Sequence, residues 1–280
     1  MSSFRELLSE GRDVLAAAGK EEADFDARAL LLFCTGLSWS RLLLRYEEEA
    51  DAADAGRFHQ FIRRRAAGEP LQYITGSQDF CGIRIKTDRR ALIPRQDTEV
   101  LVETALRDLK GRENLSLLDL CTGSGCIAAA LKALGPFSEV TAADLSEEAL
   151  SLAGENLPAG ARLIRSDLFQ APELAGALFD VITCNPPYIP SGVIKTLSPE
   201  VKDYEPRMAL DGSTDGLLFY RRLSEDCPRF LRPGGRVYFE IGADQGPAVA
   251  GLLSGAGFSE VRVVKDLQGL DRVVCGAWTK

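Results

Sequence analysis

Histidine occurs once in the 280 residues, at His59. A single imidazole leaves no Ser-His-Asp triad and no two-histidine metal site within the chain, so hydrolytic and zinc chemistry are set aside and no metal is expected. Cysteine occurs seven times, an odd count, and nowhere as Cys-x-x-Cys, which points to reduced, buried thiols rather than a redox or zinc motif. No apolar run approaches the ~20 residues of a membrane span. The opening Met1-Ser2-Ser3-Phe4-Arg5-Glu6 has neither a signal-peptide core nor an Arg-rich, acid-poor bias, so a cytoplasmic protein with no membrane partner is expected. Positive charge is in deficit: 33 Lys and Arg face 41 Asp and Glu, a net charge of -8, which disfavours bare nucleic acid as the main partner. The one basic run, Arg63-Arg64-Arg65, lies beside His59 with Phe58, Phe61 and Ile62 at helical spacing and reads as a solvated helix face.

What is present is an ordinary globular composition, 45% hydrophobic and 26% charged, long enough for one large domain and a small one. From Phe4 to about Tyr73 apolar residues recur at helical spacing, which predicts a small helical bundle over 1–75. Between Gly76 and Arg95 the pattern turns extended, as Phe80-Cys81-Gly82-Ile83-Arg84-Ile85 and Ala91-Leu92-Ile93-Pro94 around Asp88-Arg89-Arg90, and predicts a hairpin linker. Asp97-Thr98-Glu99 before Val100, Leu101 and Leu106 then predicts a capped helix, closing a linker over 76–110. After Gly111 strands (115–120, 140–145, 163–168, 181–184, 237–241) alternate with helices (126–134, 147–157), the signature of a parallel sheet covered on both faces. The runs 261–264 and 273–278 are joined too closely for a helical crossover and are expected to pair antiparallel. An α/β domain over 111–280 with one reversed strand is the expected architecture.

Four polar residues stand at the ends of successive predicted strands: Asp119, Asp144, Asp167 and Asn185. In a doubly wound sheet those ends share one edge, where ligands bind. Thr122-Gly123-Ser124-Gly125 lies between a strand and a helix, where glycines let backbone approach a ligand. Gly123-x-Gly125-x-x-Ala128 with Asp144 also satisfies the dinucleotide fingerprint, so a nicotinamide enzyme stays open on this turn alone. Asn185-Pro186-Pro187-Tyr188 is more discriminating. Two prolines fix the backbone and donate nothing, so the Asn185 oxygen and a backbone carbonyl can face outward as paired acceptors for a planar NH2 group. A methyl donor site explains this amide acceptor, together with an acid at Asp119 facing an ammonium group, where a nicotinamide site does not.

Several segments carry a resemblance: Asp26-Ala27-Arg28-Ala29-Leu30-Leu31, Pro70-Leu71-Gln72-Tyr73-Ile74-Thr75-Gly76, Leu92-Ile93-Pro94-Arg95-Gln96-Asp97-Thr98-Glu99, Asp119-Leu120-Cys121-Thr122-Gly123-Ser124-Gly125, Asn185-Pro186-Pro187-Tyr188-Ile189 and Glu205-Pro206-Arg207-Met208-Ala209-Leu210-Asp211-Gly212, with shorter matches at Pro233-Gly234-Gly235, Glu240-Ile241-Gly242 and Asp271-Arg272-Val273. Over nearly its whole length the chain resembles the peptide chain release factor N5-glutamine methyltransferase family (PrmC/HemK). The resemblance implies a seven-stranded Rossmann-like methyltransferase fold, S-adenosyl-L-methionine as cofactor, and class I peptide chain release factors as protein substrates, recognised through the helical domain. A monomer with no direct need of nucleic acid is expected. Asp119 and the turn Cys121, Thr122, Gly123, Ser124 and Gly125 would cradle the donor, Asp144 and Leu145 would bind its ribose, Asp167 and Leu168 would flank its adenine, and Asn185 would also touch the donor. Asn185, Pro186, Pro187 and Tyr188 would hold the substrate glutamine, with Asn185, Pro186 and Tyr188 acting in catalysis. The chain departs from the family pattern at Cys121, where the first glycine of the turn usually stands, and at Ser213, where a glycine commonly follows Gly212. An N6-adenine nucleic acid methyltransferase is the nearest rival, since an exocyclic amine poses the same hydrogen-bonding problem, and a donor-binding scaffold without catalysis is the rival from another class.

Overall fold

In the computed structural model, which describes residues 2–280, the first helix begins at a reciprocal cap. Glu6 N donates to Ser3 Oγ at 3.2 Å and Ser3 N donates to Glu6 Oε2 at 2.8 Å, so two backbone donors without helical partners are satisfied at once. Helices α1 (Phe4–Ala17), α2 (Ala23–Thr35), α3 (Trp39–Leu44), α4 (Ala52–Ala66) and α5 (Leu71–Thr75) follow the predicted apolar spacing and close on a core of Leu7, Leu15, Leu30, Leu31, Leu42, Phe58 and Ile62. The first of two compact units comprises 2–76 together with Pro199–Tyr204. Within it Arg65 is buried, donating to Asp26 Oδ2 at 2.6 Å and lying 2.7 Å from Glu200 Oε1, while Arg64 pairs with Glu69. The expected solvated face of Arg63-Arg64-Arg65 therefore does not hold for Arg65. A guanidinium this deep persists because two carboxylates neutralise it.

The second unit comprises Ser77–Ser198 and Glu205–Lys280. It opens with a hairpin of β1 (Ser77–Phe80) and β2 (Ile83–Lys86), turned by Cys81 and Gly82 at φ 48° and 75°. Two consecutive positive φ values suit the right-handed twist of the flanking strands. The predicted second extended run, Ala91-Leu92-Ile93-Pro94, forms no strand. Helix α6 (Gln96–Asp108) starts one residue ahead of the predicted cap, at an Arg95 N-cap without a side-chain bond, and Asp97 and Glu99 occupy its first turn.

Seven strands form the main sheet among the described residues: β3 (Leu115–Leu120), β4 (Phe137–Asp144), β5 (Arg162–Arg165), β6 (Phe179–Cys184), β7 (Leu231–Glu240), β8 (Ser259–Lys265) and β9 (Asp271–Trp278), in the order β5-β4-β3-β6-β7-β9-β8. Every residue of β3 is buried, as suits a central parallel strand covered on both faces. The expected reversed strand is β9, inserted antiparallel between β7 and β8 rather than along an edge. β5 ends at Arg165, short of the predicted 168, because the chain turns there: Ser166 Oγ donates to the Leu168 carbonyl at 2.6 Å and Leu168 takes φ 53°. From β3 the chain winds outward through β4 to β5, then crosses back to β6 on the other side of β3. That reversal opens a crevice at the carboxyl ends of β3 and β6. No described helix is long and apolar enough to cross a membrane.

Candidate active site

The register of the parallel pair β3 and β6 sets Leu120 beside Cys184, so the residues that follow, Cys121 and Asn185, leave the sheet side by side. Both line a cavity of about 970 Å³, counted to its open mouth. Thr122, Gly123 and Ser124 continue its wall, with Asp144 and Leu145 from the end of β4, Asp167 and Leu168 from beyond β5, and Pro187. Most of the residues expected from the sequence thus converge. Asp119, Gly125, Pro186 and Tyr188 are not among the residues that line the cavity.

Asp119 is fully buried, and both of its oxygens are taken: Thr122 Oγ1 donates at 2.6 Å and Thr183 Oγ1 at 2.7 Å. Burial pushes its carboxyl up to about 6, against these two hydroxyls, so its ties are to the glycine turn and to β6. The turn is closed by Gly125 N donating to the Thr122 carbonyl at 2.8 Å and hung from β4 by Thr122 N on the Ala143 carbonyl at 3.1 Å. Cys121 adopts φ 52°, the left-handed conformation that the family's usual glycine takes without strain, and Ser213 likewise adopts φ 72°. Both departures therefore retain a glycine-like backbone.

Asp144 faces the cavity from beneath the turn. Gly123 N donates to its Oδ2 and Ser146 N to its Oδ1, each at 2.9 Å. Burial raises its carboxyl above the ordinary range, opposed by the backbone N–H groups of Ser146, Gly123 and Leu145. An acceptor held at such a cost at a cavity wall is suited to hydroxyl donors on a ligand. Asp167 pairs with Arg222 at 2.9 Å beside the apolar surface of Leu168 and Phe219.

Asn185 sits at the opposite wall, its Nδ2 directed at Thr98 Oγ1 at 3.5 Å. The backbone after it is held from three sides. Gln245 Nε2 donates to the Tyr188 carbonyl at 3.1 Å, Ile189 N donates to the Leu210 carbonyl at 3.1 Å, and Gly212 N donates to the Ile189 carbonyl at 2.8 Å. Gly216 passes so close that a β-carbon there would stand 2.3 Å from the Tyr188 oxygen. Tyr188 itself is largely enclosed, and burial drives its phenol well above the usual range.

The remaining wall was not anticipated from the sequence. Arg90 to Arg95, Pro206, Met208 and Ala209 line it, and buried Glu205 joins the two segments by accepting from Ile93 N at 3.3 Å and Arg95 Nη2 at 2.7 Å. The available signal was that both segments overlap stretches bearing the family resemblance, Leu92–Glu99 and Glu205–Gly212.

Residues 6–76 match the model of the PrmC N-terminal domain, and residues 96–197 match the methyltransferase small domain. A release factor glutamine methyltransferase of Moorella thermoacetica is 45% identical over 276 residues, covering 96% of this chain and 96% of its own. The chain belongs to the release factor glutamine methyltransferase family. A relative of the same name from Geobacter sulfurreducens is 40% identical over 277 residues, covering 98% of this chain and 96% of its own. A methyltransferase structure from Pyrococcus furiosus shares the fold, with a TM-score of 0.51 at 18% identity, covering 81% of this chain and 100% of that one.

Proposed function

We infer that the protein transfers a methyl group from S-adenosylmethionine to the side-chain nitrogen of the glutamine in the Gly-Gly-Gln loop of class I peptide chain release factors, acting in the cytoplasm as a monomer without nucleic acid. The observation that carries this reading is the placement of an amide acceptor, Asn185, and a glycine turn on adjacent strand ends around one cavity. The cavity suits the donor: Asp144 offers an acceptor for ribose hydroxyls, Leu145, Leu168 and Phe219 offer apolar faces for a purine, and Thr122, Gly123 and Ser124 offer a turn with little side-chain bulk to the methionine part. Bound there, the donor supplies an electrophilic methyl group on a sulfonium.

An amide nitrogen is a poor nucleophile because its lone pair is shared with the carbonyl. Asn185 Oδ1 and the Pro186 carbonyl accept the two N–H bonds of the glutamine, favour pyramidal nitrogen, and aim its lone pair into the cavity. The same acceptors stabilise positive charge as it develops on that nitrogen. The proton leaves after transfer, so no strong general base is needed. Tyr188, buttressed by Gln245 and Gly216, fixes the backbone from which these acceptors project. The helical unit supplies binding surface for the folded substrate, and that energy is spent on orienting the loop.

Asn185→Ala tests the reading. With labelled donor and a folded release factor, turnover is expected to fall on the order of 100-fold or more while calorimetric donor affinity persists. Near wild-type turnover would overturn it.

A further inference from the structure

Glu240, at the end of β7, is a buried carboxylate that the mechanism above leaves unused. It is 1% exposed, and its Oε2 has no hydrogen-bond partner among the described residues. A buried polar atom left in that state calls for an explanation beyond packing. The side chains of Thr98 and Asn185 both lie against this carboxylate and favour its ionised form. Asn185 Nδ2 is also directed at Thr98 Oγ1 at 3.5 Å, while Asn185 lines the cavity.

A primary amide has two orientations of nearly the same shape. In one, Asn185 shows its carbonyl oxygen to the cavity; in the other it shows NH2, and two donors would confront each other when a glutamine amide arrives. An ionised carboxylate only accepts hydrogen bonds, so it draws the NH2 end of Asn185 to its own side. We propose that Glu240 and Thr98 are positioning residues that hold the Asn185 side chain with its oxygen toward the substrate amide, an inference resting on the methyl-transfer reading above.

The arrangement is sensitive to pH. The groups whose charge or hydrogen bonding acts on Glu240, or on which it acts, are Asp97 and Thr98 from α6, Arg272 from β9, Tyr188 from the loop after β6, Tyr220 from the helix Leu218–Asp226, and Cys126 from α7 (Cys126–Leu134). Burial pushes its carboxyl up to about 7, with Thr98, Arg272 and Asn185 opposing and Asp97 reinforcing. Once protonated, Glu240 gains an O–H donor that pairs with the Asn185 oxygen and selects the unproductive orientation. Turnover therefore falls as pH drops through about 7.

The test uses the full chain as Glu240→Gln, Thr98→Val and Thr98→Ser, with a folded class I release factor and labelled donor, from about pH 6 to about pH 9. Glu240→Gln and Thr98→Val are expected to lower kcat about 10-fold or more while KM and donor Kd stay within about twofold, whereas Thr98→Ser keeps kcat within about threefold. Glu240→Gln also loses the acid limb of the profile. Wild-type kcat in either disruptive variant, equal losses in Thr98→Ser and Thr98→Val, or an acid limb surviving in Glu240→Gln would overturn the proposal. NMR of the Asn185 side-chain amide gives a readout independent of activity: its signals should titrate with Glu240 in the wild type and not in Glu240→Gln. If the wild type leaves the release factor unmethylated, the substrate reading falls, and this titration alone decides the positioning role, its absence in the wild type refuting it.

Discussion

Replacing Asp144 by Asn separates ligand binding from stability. The side chain keeps its size, but one carboxylate oxygen becomes an NH2 that cannot accept. In the free protein the change loses one of two backbone contacts, from Gly123 N or Ser146 N, each at 2.9 Å. It also removes a charge whose carboxyl is raised by burial, so the ionised form is held at a cost. Because the folded-state value lies above the unfolded one, the folded chain binds the proton more tightly, and this group's contribution to stability declines as pH rises through that interval. At neutral pH the lost contact and the relieved burial offset each other, and urea denaturation should place the variant within about 1 kcal/mol of wild type. Donor binding has no such offset. One charge-assisted hydrogen bond to a ribose hydroxyl is worth about 1.5–3 kcal/mol, so calorimetry should find Kd for S-adenosylmethionine weaker by roughly 10- to 150-fold. An unchanged Kd, or a large loss of stability with the same Kd, would refute the assignment of Asp144 to the donor.

Two further substitutions probe the backbone around the acceptor pair. Gly212→Ala would place a β-carbon 2.8 Å from both Cα and C of Tyr188, so the loop carrying Asn185 must shift, and single-turnover methylation should slow about 10- to 100-fold with donor affinity unchanged; full activity would show that the loop position is not limiting. Ser213→Gly relieves a non-glycine residue at φ 72° and should raise stability by about 1 kcal/mol in urea titration, whereas a loss would mean that the Ser213 side chain is needed there.

The strand ends that build the site were legible because a parallel sheet brings its carboxyl ends to one edge whatever lies between them. Asp144, Asn185 and the turn 121–125 needed only that rule. Asp119 obeyed it too, yet two threonine hydroxyls, one of them on β6, occupy it beneath the turn, and no spacing along the chain shows which neighbour will cover an acid. The hairpin was misplaced by one run because its turn is Cys81-Gly82, and a cysteine at positive φ is not a recognisable turn signal. The composition of Ala91 to Pro94 suits a strand, but they serve as cavity wall held by Glu205, a partner more than a hundred residues away. Glu240 and Thr98 stood in segments bearing the family resemblance, but their role was not legible for the same reason: it depends on Asn185, which the fold brings to them from the end of β6.

Mapping the methylated atom tests the central claim most directly. The enzyme is offered a folded class I release factor, the same protein with the loop glutamine changed to alanine, and single-stranded DNA and RNA, each with labelled S-adenosylmethionine. The account predicts label in the intact release factor alone, on the side-chain nitrogen of the Gly-Gly-Gln glutamine by mass mapping. Equal labelling of the alanine variant, or label on adenine in either nucleic acid, would contradict it.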